Sequence, residues 1–476
     1  MAANYLHGIE TIEIDNGPRP IKVVKSAVIG LVGTAPTGPM QKPVLVLSEK
    51  DAAQFGAQHL GFTIPQALDA IFDHGAGTVI VINAFDEKKH LSDVADEAVT
   101  LVNHQLQLAH TLVSNVVLKA ADGSNQYQLN TDFVLDEEKG TITPVAGGAI
   151  TKATIDFKVS YTYKDPTKVV LGDIIGAVNE AGFRTGLKAL DDTYNLFGFT
   201  PKILIAPVYC TQTSISTELI ALAEKLDAIA YIDAPIGTTF QQAIEGRGPN
   251  GVINFNTSSE RVKLCYPHVK VFDPVLNQER LEPLSQRLAG LRAKIDNDRG
   301  YWWSTSNNEL AGVIGMERPL SAMIDDPQSE VNLLNESGIT TVFNSYGTGL
   351  RAWGNRTAAW PTVTHMKNFE NVRRTGDIIN ESIRYSSLQF IDRPIDDALI
   401  DAIVESCNGF GRKLIGDGAL LGFKAWYDPA RNPETELALG HLLINYKYTV
   451  PPPLERLTYE TEIVSEYLLT LGSGGN

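Results

Sequence analysis

The segment LLNESGITTVFNSYGTGLRAWGNRT, residues 333–357, holds a helix end, two strands and the turns that join them. Leu333-Leu334-Asn335-Glu336-Ser337 is helical in composition. Gly338 stops the helix, because glycine accepts the left-handed backbone that ends helices. Residues 339–343 are β-branched or aromatic and predict a strand. A Gly-rich turn follows, then a second strand over 350–357.

Outward from this segment, strands and helices alternate. Residues 27–32, 78–85, 202–208, 228–233 and 262–266 are short apolar runs that predict buried strands. Residues 64–72 and 218–226 predict helices, the second with Leu219, Leu222, Ala223 and Leu226 on one face. Leu281, Leu284, Leu288, Leu291 and Ile295 follow a 3, 4, 3, 4 spacing and predict a helix over 281–295. Such alternation implies a mostly parallel sheet covered on both faces. It breaks off after residue 86 and resumes near Val170. Between them, Ile155, Phe157, Val159, Tyr161 and Tyr163 alternate with polar residues, as in a half-buried antiparallel strand. Further strands are expected around 127–135 and 141–145, and the type of the polar segment after 87 is left open. Residues 87–169 thus read as an all-β insertion.

Past residue 365 the pattern is α+β. Helices are expected over 377–385 and 398–407, the latter with Asp396 and Asp397 at its start, where the helix dipole favours acids. Strands are expected over 423–427 and 442–448, and Pro451-Pro452-Pro453 ends the unit. Both chain ends look extended. Ile9, Ile12 and Ile14 punctuate a polar lead. Leu457, Tyr459, Ile463, Tyr467 and Leu469 alternate with Glu460, Glu462 and Glu466 over 456–469. A lone strand is unstable, so each needs a partner from elsewhere.

The totals exclude several function classes. Forty Lys and Arg against 56 Asp and Glu give a net charge of −16, which opposes a nucleic-acid ligand. Three cysteines, Cys210, Cys265 and Cys407, lie far apart and predict buried reduced thiols. No run of about 18 apolar residues predicts a membrane span, and the N-terminus has no signal-peptide pattern. The chain is expected to be made in a cytoplasm and to stay soluble.

No reactive constellation emerges. Gly33-Thr34-Ala35-Pro36-Thr37-Gly38 has phosphate-loop spacing, but Pro39-Met40 stands where lysine and Ser/Thr are needed. Gly75-Ala76-Gly77 precedes a strand and lacks the third glycine of a dinucleotide fingerprint. Asp296-Asn297-Asp298-Arg299-Gly300 lacks the calcium-loop glutamate and reads as a helix end. The pairs Asp191-Asp192, Asp325-Asp326 and Asp396-Asp397 suit helix capping. Nine histidines show no metal-ligand spacing. Tyr301-Trp302-Trp303 is an aromatic loop expected to pack at a domain or subunit boundary. No catalytic, cofactor-binding or metal residue is predicted.

The segment 333–357 resembles contractile bacteriophage tail sheath proteins, in which a Leu-Asn-Glu-Ser-Gly-hydrophobic-Thr-Thr turn precedes a Trp-Gly-Asn-Arg-Thr strand. The resemblance extends to Gly8-Ile9-Glu10, to residues 28–35, to 290–296, to Asn371-Val372-Arg373-Arg374, to Asp392-Arg393-Pro394, and to Tyr446-Lys447-Tyr448 with Pro452-Pro453-Leu454-Glu455. It implies an α/β core of subtilisin-like fold without protease chemistry, an all-β insertion, an α+β C-terminal domain and extended β arms at both termini. The implied division is an N-terminal arm 1–20, a sheath domain 21–86 plus 170–365, the insertion 87–169, a C-terminal domain 366–450 facing the tail tube, and a C-terminal arm 451–476. The implied function is a helical homopolymer around the tail tube that contracts and drives the tube through the host envelope for genome ejection. Implied partners are other copies of the chain, through arm residues Ile9, Ile12, Ile14, Leu457, Tyr459, Ile463 and Tyr467, the tube protein, and baseplate and terminator proteins. No cofactor, direct nucleic-acid contact or membrane insertion is implied. The implied location is the virion, after assembly in the bacterial host cytoplasm. The alternatives are the sheath of a tailocin or other injection system, a divergent α/β hydrolase, which would need a clustered nucleophile and base, and a monomeric binding module using the insertion.

Overall fold

The computed structural model describes residues 20–75, 77–273, 277–345 and 347–470. The apolar runs assemble into a nine-stranded sheet. Its spatial order is Asn308–Glu309, Gly349–Trp353, Ile339–Ser345, Val262–Cys265, Ile229–Asp233, Ile203–Ile205, Val28–Gly33, Thr78–Asn83 and Val44–Val46. The six central strands pair in parallel. Both ends are closed by short antiparallel strands, which shortens the exposed edges.

Both faces are covered, so the strands are apolar throughout and period 2 decides only which face each side chain serves. Ile29, Leu31, Val79, Val81, Ile203, Ile205 and Tyr231 face one core, with Leu68 and Ile71 of helix Ile64–Phe72 and Leu288, Leu291 and Ile295 of helix Leu284–Asp298. Val28, Val32, Ile80, Ile82, Leu204 and Ala230 face the other, with Leu219, Leu222, Ala223 and Leu226 of helix Thr213–Leu226.

Two boundaries differ from expectation for local reasons. The long helix starts at Leu284, not Leu281, and Leu281 lies on strand Gln278–Glu282. Pro283 sits at the N-cap, and the residue before a proline is driven to extended backbone. The second strand of the opening segment ends at Trp353, because Gly354 turns the chain at φ 140°.

Within the insertion, Leu91–Leu101, Ile155–Lys164, Val113–Ala120 and Gln126–Tyr127 form an antiparallel sheet. Leu106–Gln107, Thr141–Pro144 and Phe133–Asp136 form a second. These strands share a core of their own, including Phe133, Ile142, Phe157, Val159 and Tyr161. The undecided polar segment is therefore strand. Asp96, at φ 50°, interrupts its pairing and hides the alternation.

The C-terminal part packs helices Glu370–Ser386 and Asp397–Gly416 against the hairpin Gly422–Tyr427 and Ile444–Thr449. Phe369, Val372, Ile379, Cys407, Phe410, Leu414 and Ala425 form its core. Asp396 caps the second helix, accepting from the Leu399 N–H at 2.7 Å. All three cysteines are buried free thiols.

Candidate assembly site

The opening segment is a junction. Helix Glu330–Glu336 ends at Ser337, and Gly338 reverses the chain at φ 75° into strand Ile339–Ser345. Asn335 ties the turn to the second strand by donating to the Trp353 carbonyl at 3.3 Å. Arg247 lies behind it and, among the described residues, has no carboxylate partner. Its guanidinium donates to five backbone carbonyls, those of Ser337, Phe255, Thr257, Ala358 and Trp360, at 2.6–2.9 Å. Burial without a counter-charge lowers its pKa to about 10. Thr357 then joins the start of the C-terminal part, its N–H and hydroxyl both donating to the Asn368 carbonyl at 2.8 and 3.0 Å.

Helix Glu370–Ser386 follows, and its packing inverts the usual amphipathic arrangement. Val372, Ile379 and Ile383 face the small C-terminal core. Glu370, Arg374, Asp377 and Glu381, spaced 4, 3 and 4, share the other face and are buried as well. They meet charges at or near the N-terminal ends of the parallel strands and on the long helix. Glu370 pairs with Lys263 and accepts from the Tyr231 hydroxyl. Arg374 grips both oxygens of Asp296 at 2.8 and 2.7 Å and donates to the Ser26 carbonyl at 3.0 Å. Asp377 pairs with Arg261 and, at 2.6 Å, with Arg373. Glu381 pairs with Lys202 at 2.6 Å. Burial alone would raise the Asp296 carboxyl, but Arg292 and Arg374 outweigh it and hold it below the usual carboxylate range. Glu370 is likewise depressed against its burial by Lys263, Arg292 and Arg374. With each of its four charges facing an opposite one, this face acts as a bolt between the large sheet and the C-terminal part.

Arg356, from the Trp-Gly-Asn-Arg-Thr run, points elsewhere. Its guanidinium lies 4.2 Å from the Trp360 ring centre and 3.9 Å from that of Phe369. It donates to Asn368 Oδ1 at 2.7 Å. Its Nε and Nη2 grip the Glu455 carboxylate, the Nε contacts at 3.0 and 3.2 Å. Two separate stretches of the sequence, around 356 and 452–455, thus meet in one clamp.

Beyond the clamp, residues 451–464 carry no helix or strand. Leu454, Leu457, Tyr459, Ile463 and Tyr467 are exposed, Ile463 fully at 102%. The strand expected over 456–469 is not formed within the chain, and Glu466–Thr470, which includes Tyr467, is a short 3-10 turn. Ile9, Ile12 and Ile14 lie outside the described residues. Among the described residues, the structure brings no arm residues together.

The loops tested for chemistry are structural. Asn83 fills the 33–38 loop, with its Oδ1 accepting from the Ala35 N–H at 2.9 Å and its Nδ2 donating to the Ala35 and Thr37 carbonyls at 3.2 Å. Asp296 is spent on Arg292 and Arg374. Asp191 and Asp192 pair with Lys225 and Arg184 instead of capping. Trp302 packs against the C-terminal core, and its carbonyl accepts from Asn371 at 2.9 Å, so the aromatic loop lies at an internal boundary. Among the described residues, no three His, Cys, Asp or Glu side chains group as a metal site, and no helix is long and apolar enough to cross a membrane.

The same overall fold recurs in solved contractile sheath proteins. The sheath of an extracellular contractile injection system in its contracted state (PVC) matches 98% of this chain and 99% of its own, with TM-score 0.60 and 14% identity. The contracted helical sheath of the anti-feeding prophage matches 97% and 99%, with TM-score 0.59 and 17% identity. Residues 182–358 match the phage tail sheath protein central domain and residues 362–464 the phage tail sheath C-terminal domain. Residues 82–171 match a family described only as a protein of unknown function. The tail sheath protein of Burkholderia phage BcepMu is 69% identical over the whole length of both chains. That of Escherichia phage P2 is 28% identical over 100% of this chain and 99% of its own. The chain belongs to the phage tail sheath protein family. It is a structural component of a contractile phage tail and not an enzyme.

Sequence reasoning missed the bolt, Arg247 and the Arg356–Glu455 clamp. Only the bolt left a usable signal: the 4, 3, 4 spacing of charges opposite Val372 and Ile379.

Proposed function

We propose that this subunit polymerises helically around a tail tube through strand exchange between its arms and neighbouring copies. Contraction of the polymer then drives the tube through the host envelope and leads to genome ejection. The observation that carries this reading is the C-terminal arm: residues 451–464 are extended, expose apolar side chains and have no backbone pairing among the described residues. Large apolar groups so exposed mark a surface awaiting a partner. An acceptor of suitable kind is present. Asn408 bonds both the N–H and the carbonyl of Ala425, at 2.8 and 3.1 Å, and so covers the outer edge of strand Gly422–Tyr427. Among the described residues nothing similar covers Ile444–Thr449, and strand addition uses such an edge.

On this reading Leu457, Tyr459 and Ile463 bury one face of an added strand, and Ile9, Ile12 and Ile14 do the same at the other terminus. Glu460, Glu462 and Glu466 disfavour indiscriminate pairing before assembly. The domain division given above is part of the proposal, with the C-terminal domain toward the tube and the insertion outward. So are the tube, baseplate and terminator contacts, assembly in the bacterial host cytoplasm, and the subtilisin-like character of the large sheet. The parallel sheet covered on both faces supports the last point. Deleting residues 456–476 tests the proposal. The expected product is a folded monomer by circular dichroism and sedimentation, and normal contractile tubes would overturn the arm model.

A further inference from the structure

We infer that Arg356 and Glu455 form a clamp that sets the exit of the C-terminal arm in the free subunit and presents it to a second copy of the chain. The inference rests on the arm exchange proposed above and names the residues that control it.

The clamp sits where body and arm part. Upstream, strand Ile444–Thr449 is paired to the hairpin. Pro451, Pro452 and Pro453 then stiffen the chain in an extended conformation. Glu455 follows, and from 456 to 464 the chain has no regular structure and, among the described residues, no backbone pairing. Two devices therefore act in series: a stiff triple-proline rod, and an ion pair that fixes the rod's far end.

The partner geometry is that of a built site. Arg356 is only 17% exposed in its side chain, while Glu455 is 37% exposed. The two aromatic rings and Asn368 hold the guanidinium in place whether or not Glu455 is present. A planar, pre-oriented guanidinium binds a carboxylate through two parallel bonds, which fixes direction as well as distance. Without the pair, the arm would pivot about residue 450. It would then sweep a larger volume, lower its effective concentration at a neighbour, and gain access to its own Ile444–Thr449 edge. The clamp opposes both and leaves that edge available to another copy.

The test uses the full-length protein with Glu455→Gln and Arg356→Lys, and residues 456–476 deleted as a control. The first substitution keeps shape and removes charge. The second keeps charge and removes the fork. Both variants should melt within a few degrees of the parent, because the pair is partly exposed. The concentration at which tubes form should rise roughly two- to fivefold, the range for loss of a partly exposed pair. The parent should show a salt dependence that Glu455→Gln loses. The exchanged pair Arg356→Glu with Glu455→Arg should not rescue assembly, because the aromatic seat accepts only a cation. If both single variants assemble at the parent's concentration and salt dependence while the deletion abolishes assembly, the clamp inference is wrong and the arm model stands. If the deletion also assembles normally, the arm model itself fails.

Discussion

Replacing Arg374 by Met would cut the bolt at one of its two most buried pairs. Arg374 and Asp296 are 3% and 0% exposed in their side chains. The substitution keeps most of the aliphatic volume but deletes two bonds to Asp296 and one to the Ser26 carbonyl. Asp296 keeps Arg292, whose Nε lies at 2.7 Å. Removing one partner of a buried pair costs about 3–5 kcal/mol, and the remaining Arg292 places this case near the lower end. A loss of about 3 kcal/mol lowers the opening constant's protection by roughly 150-fold. A chain of several units does not unfold in one step, so the suitable assay is native-state hydrogen exchange read on the Glu370–Ser386 helix. Arg384→Met is the internal control. Arg384 lies on the same helix but is 62% exposed and pairs with Asp227 at 3.2 Å. Such a pair contributes about 0–1 kcal/mol, so protection should fall by no more than about fivefold. Equal effects from the two substitutions would refute the claim that buried charge holds this helix to the sheet.

Acid should weaken the same contact. Asp296 and Glu370 have depressed carboxyl pKa values in the folded protein, so their contribution is fully present above the unfolded values of about 4 and is lost as pH falls through the folded ones. Hydrogen exchange of the helix, corrected for intrinsic rates, should rise below about pH 4 as these two carboxylates are protonated, whereas Asp377, whose carboxyl is raised by burial, adds nothing to that rise. Arg247→Lys offers three donors where five carbonyls now accept; the Phe255 carbonyl keeps the Thr257 N–H at 2.9 Å, so at least one of the others is stranded. A loss of about 1–3 kcal/mol per stranded group should appear as earlier melting, and an unchanged melting temperature would contradict the cradle. Replacing residues 87–169 with a short Gly/Ser linker should leave tubes visible by electron microscopy. Monomeric or unfolded product would make the insertion part of the lattice.

What the sequence made legible follows from which forces it displays. Apolar periodicity marked the helix Ile64–Phe72 to the residue, and the central strands within a few positions. The same logic placed Phe157, Val159 and Tyr161 inward. It failed where burial is polar. Glu370, Arg374, Asp377 and Glu381 look like a solvated face, so only the stretch after 377 read as helix, and the helix begins at Glu370. It failed where local backbone overrides pattern, as with Leu281 before Pro283. Contacts between residues distant in sequence, such as Arg356 with Glu455, leave no periodic signal at all. The arms stay a proposal drawn from the opposite signal: an alternating segment with no neighbour in sequence to pair with.

A cryo-EM reconstruction of the assembled tube tests the central claim most directly, because it shows where each arm goes. Residues 456–464 should run as a strand beside a sheet edge of a neighbouring copy, about 4.8 Å from it, with Leu457, Tyr459 and Ile463 on its buried side. An arm folded back on its own subunit, or lying unpaired in a fully formed tube, would contradict the account.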